Sequence, residues 1–257
     1  MDFTDALNTG RMAAQAGAAI VREQFGQSIN SRVKADSLTL VTDTDIAAEK
    51  AIMEILSRHS DYGILSEESG LTGESKGPVW VIDPLDGTSN FARSVPVFAV
   101  SVALMHENKV VAGVIIDPVN QKEFYAYAGG GAYLNGHIMV LEHLINAKPV
   151  VFVNHGHREA DKKRFAEITQ RLALKFNQRK FGTTALELCY VATGNFDGFI
   201  CSGDEIWDFA AGVLIASEAG CIFTDWQGNP WDGKSSYILV AQPAIHSELV
   251  HAINDLQ

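Results

Sequence analysis

Trp80-Val81-Ile82-Asp83-Pro84-Leu85-Asp86-Gly87-Thr88-Ser89-Asn90-Phe91 carries three apolar residues straight into two carboxylates, then into a Gly-Thr pair able to open a helix. Val79 to Ile82 is β-branched and aromatic and reads as the end of a buried strand. Pro84 biases Asp83 towards an extended conformation and is expected to stop the strand from pairing further. Asp83 then falls at a strand's carboxyl end, where α/β sheets tend to hold their ligands. Asp86 to Asn90 is rich in residues that cap helices or tolerate unusual backbone angles, and the free N–H groups of a following helical turn suit an anion. Two carboxylates beside an anion site repel phosphate unless cations lie between them. Carboxylate and carbonyl oxygens select Mg2+, Mn2+ or Ca2+ over zinc. An Asp-Pro turn with an Asp N-cap would explain the acids alone, but not the whole string. The segment points to phosphate chemistry.

Working outward, the 257 residues are 47% hydrophobic, ample for one large domain or two closely packed halves. The formal net charge of -11, from 20 basic and 31 acidic residues, argues against nonspecific nucleic-acid binding and docking to anionic membranes. Overall charge does not attract phosphate, so bound cations would have to do so locally. Cys189, Cys201 and Cys221 show no CxxC spacing, and the sparse, odd count suits reduced thiols in the cytoplasm. The acidic start, Met1 to Asp5, does not fit a signal peptide, and no apolar run approaches the roughly 18 residues of a membrane span.

Thr4 to Phe25 reads as an Ala-rich helix and Ile46 to Leu56 as a second, with Ala48, Ile52 and Ile55 on one face. Tyr62 to Ser66 is expected to be a short strand. Val97 to Met105 and Val110 to Asp117 read as strands paired across Glu107-Asn108-Lys109, and Glu123 to Tyr127 as a third. Val97 to Met105 has large residues on one face and mostly small ones on the other, so both faces are expected to be covered. Gly129-Gly130-Gly131 lacks dinucleotide-binding spacing and reads as a turn. An N-terminal α+β half (residues 1–140) carries most candidate ligands. The second half (141–257) contains strands at Val150 to Asn154, Phe196 to Cys201, Ile222 to Thr224 and Tyr237 to Ala241. Helices are expected at Ala160 to Ala173, from Gly182-Thr183-Thr184 to Gly194, at Glu205 to Ala219, and from Ile245. Strands and helices come in blocks, which predicts layered mixed sheets, not clean βαβ repeats.

Other carboxylates surround this frame. Glu67-Glu68 ends a strand; neighbouring strand residues point to opposite faces, so only one of the two can join Asp83. Asp43 and Asp45 precede the second helix, where N-capping is the ordinary role, although an Asp there could orient a hydroxyl or a water. Asp208, in Trp207-Asp208-Phe209-Ala210-Ala211-Gly212, places a carboxylate among apolar groups, where it needs a partner unless it only caps the helix. His155-Gly156-His157 lacks a third ligand at diagnostic spacing and reads as a loop or strand end.

Glu67-Glu68, the Asp83 to Phe91 string and the Trp207 to Gly212 string together resemble the inositol monophosphatase family of Mg2+-dependent, lithium-sensitive phosphatases, in order and spacing from about Lys34 to Gly220. The resemblance implies an α+β fold, a layered αβαβα sandwich with mixed sheets like that of inositol monophosphatase and fructose-1,6-bisphosphatase, usually as a homodimer. It implies a first metal on Glu68, Asp83 and the Leu85 carbonyl, and a second on Asp83, Asp86 and Asp208. A third, looser ion would lie near Glu68, making two to three Mg2+ ions per site. The backbone N–H groups of Gly87 and Thr88 would bind phosphate. Asp45 would pair with Thr88 to polarise the attacking water, and Lys34 matches a basic position near the site. The implied reaction is in-line hydrolysis of a small phosphate ester by a metal-activated water, without a phosphoenzyme, inositol 1-phosphate being the leading substrate.

Gly182 and Thr184 match pocket positions. The family's inositol enzymes usually carry a Glu seven residues before the Trp-Asp aspartate, where this chain has Cys201, a poor partner for polyols. Asp204 or Glu205 could compensate, and Cys201 keeps histidinol phosphate, fructose 1,6-bisphosphate and 3′-phosphoadenosine 5′-phosphate open as substrates. Two other readings compete. Asp86-Gly87-Thr88 resembles part of a haloacid-dehalogenase nucleophile motif, but that motif needs acids separated by one residue. A member that binds phosphometabolites or a protein partner without turnover is the other.

Overall fold

The computed structural model describes residues 3–27, 31–33, 40–74, 76–141 and 148–256. The first half forms α1 (Phe3–Gln24), β1 (Ser31–Val33), β2 (Leu40–Thr42), α2 (Asp43–His59), β3 (Gly63–Ser66), β4 (Gly70–Thr72), β5 (Val79–Asp86) and α3 (Thr88–Ala92). Three antiparallel strands and a short pair complete it: β6 (Ala99–His106), β7 (Lys109–Asp117), β8 (Lys122–Tyr127), β9 (Ala132–Leu134) and β10 (His137–Ile138). The rest is β11 (Val150–His155), α4 (Glu159–Leu172), β12 (Asn177–Arg179), α5 (Thr184–Ala192), β13 (Gly198–Ser202), α6 (Ile206–Ala219), β14 (Ile222–Asp225), β15 (Tyr237–Ala241) and α7 (Pro243–Ile253).

An eight-stranded sheet runs β10-β9-β8-β7-β6-β5-β3-β4, antiparallel except between β3 and β5. A five-stranded sheet runs β12-β11-β13-β15-β14, with β11 parallel to both neighbours. The helices α1 and α2 cover the outer face of the large sheet, α5 and α6 fill the space between the sheets, and α4 and α7 cover the far face of the small one. The result is an αβαβα sandwich, the α+β architecture that the block pattern and the family resemblance imply.

The amino-acid pattern of β6 shows why the layers stack this way. Val100, Val102 and Leu104 pack with Ala13, Ala14 and Ile52 beneath α1 and α2, while Ala99 and Ala103 face the middle layer. Burying each large aliphatic side chain contributes about 1.5–3 kcal/mol. A one-residue slip of β6 would turn all three into the middle layer. There is no room there: a Cβ on Gly113 of β7 would lie 3.0 Å from Ala211 of α6, so helix and strand meet backbone to backbone.

Pro84 does not end the strand as the sequence suggests. β5 continues to Asp86, and its register against β6 shifts between Asp83↔Ser101 and Asp86↔Ala99. Three steps on β5 match two on β6, so the strand bulges at Pro84-Leu85, where a missing N–H costs no ladder bond. The bulge has a consequence for the acids. Residues three apart on a regular strand face opposite sides, whereas here Asp83 and Asp86 converge.

Candidate active site

Carboxylate oxygens of Asp83, Asp86 and Asp208 lie within 4.8 Å of one another. Each is held by a different element. Asp83 Oδ1 accepts the Leu85 N–H across the bulge at 2.9 Å. Asp86 Oδ2 accepts the Thr183 hydroxyl and the Ala185 N–H, both at 2.7 Å, so this acid sits at the N-terminus of α5, where the helix dipole favours it. Asp208 Oδ2 accepts the Glu205 N–H at 2.9 Å as the returning half of a capping box on α6. Capping and a place in the cluster therefore coexist in one side chain.

A turn that could cradle an anion adjoins the cluster. Gly87 caps α3 with φ 96°, and a Cβ there would lie 3.1 Å from the Val97 carbonyl, so both the angle and the space call for glycine. Five residues cannot sustain a helix alone. α3 is pinned by Phe91, whose ring meets Phe98 edge-on at 5.1 Å, and by Asn90, whose amide donates to Val97 and Phe181 carbonyls at 2.8 Å. The first N–H groups of α3 have no partner within the helix.

Asp45 is fully buried and serves two structures at once. Its Oδ2 accepts the Thr42 N–H at 2.9 Å, closing the capping box of α2, and its Oδ1 lies 3.0 Å from Thr88 Oγ1. Thr88 Oγ1 is also 3.0 Å from the Leu85 carbonyl. With its one proton given to either acceptor, the hydroxyl keeps lone pairs for a further donor.

Crowding raises the proton affinity of these acids. Burial pushes Asp83 well above the usual carboxylate range, and the charges of Glu67, Asp86 and Asp208 push it further. Asp208 is likewise raised by burial, then by Asp204, Asp86 and Glu67. Asp86 rises to about 7 because burial outweighs its bonds from Thr183 and Ala185. Asp45 is raised by burial against its bonds from Thr42 and Thr88. Such a cluster is unfavourable when ionised and uncompensated. Its donor set, hard oxygens with no sulfur or imidazole, fits a divalent cation of the Mg2+ type.

Asp83, Asp86 and Asp208 line a cavity of about 530 Å³. Leu85, Gly87, Thr88, Gly182 and Thr184 line it, in the part of the fold where the sequence placed them. Two expectations differ, and a third falls outside the described residues. Of the acidic pair, Glu67 lines the cavity and reaches the cluster with its charge, whereas Glu68 is not among the lining residues. The Glu67 N–H donates to the Ile82 carbonyl, which extends the β3–β5 ladder and sets Glu67 beside Asp83. Cys201 is fully buried in the middle core and does not line the cavity; Asp204, three residues on, does. Lys34 lies outside the described residues.

Sequence reasoning missed Thr183, Asn154 and Glu187. Thr183 could have been found as an N-cap before the apolar run of α5. Asn154 donates to Thr184 Oγ1 at 2.9 Å and Glu187 Oε2 at 2.7 Å, a link across separate elements that no local pattern announces. Burial raises Glu187 to about 8 despite bonds from the Phe181 and Gly182 N–H groups. His155 and His157 line the cavity, but no metal-competent group among the described residues includes them. Cys189, Cys201 and Cys221 are free and buried, and no described helix is long and apolar enough to cross a membrane.

The model of the inositol monophosphatase family matches residues 4–257. An inositol-1-monophosphatase of Mesorhizobium japonicum is 34% identical over 251 residues, covering 94% of this chain and 92% of the relative. A Nus factor SuhB of Pasteurella multocida is 33% identical over 248 residues, covering 95% and 93%. The crystal structure of extragenic suppressor protein SuhB from Bartonella henselae superposes with a TM-score of 0.89 at 32% identity, covering 98% of this chain and 99% of that one.

Proposed function

The chain belongs to the inositol monophosphatase family, and on that premise we propose that it is a Mg2+-dependent phosphomonoesterase acting on a small polyol phosphate, with inositol 1-phosphate as the leading substrate. The observation that carries this reading is the convergence of Asp83, Asp86 and Asp208 beside the Gly87-Thr88 turn and the Asp45–Thr88 pair.

Glu67, Asp83 with the Leu85 carbonyl, Asp86 and Asp208 would hold two to three Mg2+ ions. Bound there, the ions supply Lewis acidity towards the phosphoryl group and the leaving oxygen, and make a nearby water more acidic. The chain does the rest. The N–H groups of Gly87 and Thr88 bind phosphate oxygens, with the left-handed Gly87 setting their direction. Thr88 accepts a hydrogen bond from the attacking water, and Asp45 fixes the rotamer of that hydroxyl, so the water is aligned for in-line attack. Asp86 and α5 hold the wall against which the leaving alcohol rests. A homodimer and lithium sensitivity accompany this reading through the family, as does a cytoplasmic setting.

Phosphate release with Mg2+ from inositol 1-phosphate, histidinol phosphate, fructose 1,6-bisphosphate and 3′-phosphoadenosine 5′-phosphate tests it. Turnover of at least one ester without a trappable phosphoenzyme is expected. Release from none would favour a binding member without turnover.

A further inference from the structure

The cavity holds a carboxylate outside the three-acid cluster. Asp204 is only 8% exposed and lines the cavity wall. Its Oδ2 accepts the Thr184 hydroxyl at 2.6 Å, and its backbone N–H donates to Cys201 Sγ at 3.2 Å. Thr184 Oγ1 in turn accepts from Asn154 Nδ2, whose amide also donates to Glu187 Oε2. Glu187 is anchored through Oε1 by the N–H groups of Phe181 and Gly182. Donors therefore run in one direction, from Asn154 through Thr184 to Asp204. One Asp204 oxygen is fixed by this chain. The carboxylate also meets the Cys201 side chain, and Asp204 presents the rest of its surface among the residues that line the cavity.

An acceptor-only group of this kind cannot take a phosphate oxygen; it takes an O–H or an N–H. Lys180 and Arg93 line the same cavity together with Glu67, Asp83, Asp86 and Asp208. Of the two donors, the O–H is the one that the leaving alcohol of a polyol phosphate brings. We propose that Asp204 is a specificity-determining residue that accepts a hydrogen bond from a hydroxyl of the leaving alcohol. The substrate class is then a phosphate ester of a polyol, with a free hydroxyl near the ester carbon. Thr184, Asn154 and Glu187 are positioning residues for it. Cys201 has a different task from the Glu that inositol enzymes usually carry there: its sulfur shapes the turn that delivers Asp204. This inference rests on the phosphatase reading and adds the recognition of the leaving group.

The test compares inositol 1-phosphate with cyclohexyl phosphate, the same ring without hydroxyls, in Mg2+-supported steady-state kinetics. The wild-type chain is expected to prefer inositol 1-phosphate. Asp204→Ala should lower the ratio of the two kcat/KM values at least about tenfold, mainly through KM, as expected for loss of a charge-assisted hydrogen bond. Asp204→Asn, which keeps an acceptor, should retain part of the ratio. Thr184→Val should lower it in the same direction, and Thr184→Ser should restore it. A ratio within twofold of wild type in Asp204→Ala overturns the proposal. So does an equal fall for both esters, which would place Asp204 with the metal ligands. A larger loss in Asp204→Asn on histidinol phosphate than on inositol 1-phosphate overturns the choice of hydroxyl over ammonium. Should the wild-type chain release phosphate from no ester, the phosphatase reading fails. Calorimetric binding of the same two esters then decides the role of Asp204 by the same contrast.

Discussion

Removing divalent cations should invert the ordinary pH dependence of stability for this protein. Burial moves Asp86 from the ordinary carboxylate value of 3.8 to about 7 in the folded, metal-free chain. A raised folded value means that the folded state binds the proton more tightly than the unfolded one. The stabilisation is complete below the unfolded value and is lost as pH rises through about 7. Between pH 5 and pH 7 the folded chain holds much of a proton on Asp86 that the unfolded chain has released, so stability falls by roughly 2 kcal/mol across that window. Asp83 and Asp208 are shifted in the same direction and add to the slope. For a chain of this size, about 2 kcal/mol corresponds to a fall in Tm of roughly 4–8 °C. Differential scanning calorimetry of chelator-treated protein between pH 5 and pH 8 reads this directly. Saturating Mg2+ should raise Tm most at pH 8, where the acids are ionised and protons compete least with the metal for them. A Tm that rises from pH 5 to pH 8 without metal, or one that Mg2+ leaves unchanged at pH 8, would refute the reasoning.

Other expectations concern single residues. Asp83→Asn and Asp208→Asn should each abolish phosphate release while raising the metal-free Tm at pH 8, because each removes a charge from a repelling cluster; near-normal turnover in either would sink the assignment. Glu67→Gln should lower kcat at least about a hundredfold and Glu68→Gln less than about threefold, by phosphate-release assay; the reverse order would restore the sequence expectation. Gly87→Ala should cost about 1–3 kcal/mol in denaturant unfolding and weaken phosphate binding, since it combines a left-handed φ with a close carbonyl. Cys201→Glu should destabilise by about 3 kcal/mol or more, judged by urea unfolding, because position 201 is fully buried in the middle core.

Much of the architecture was legible because period and punctuation agree. The β6–β7 hairpin turns where the sequence suggests, with Glu107 and Asn108 both at positive φ, and α6 ends at a left-handed Gly220. The large-and-small alternation of β6 correctly implies two covered faces. Short elements such as β9, β10 and β12 carry no comparable signal; tertiary pairing makes them. Pro84 misled because the rule against proline in a strand allows a bulge, and only the register against β6 reveals one. The choice within Glu67-Glu68 turned on strand phase, which alternation alone leaves open by one residue. Cys201 drew attention as a departure from a pattern, while the carboxylate that reaches the cavity came three residues later, on a turn whose path depends on that sulfur.

The most direct test is release of inorganic phosphate from inositol 1-phosphate by metal-free protein as Mg2+ is added back. Turnover should be undetectable without the ion, rise with Mg2+, and stay absent in Asp83→Asn at every concentration. Phosphate release that survives chelation, or that Asp83→Asn retains, would contradict the claim that this carboxylate cluster carries the chemistry.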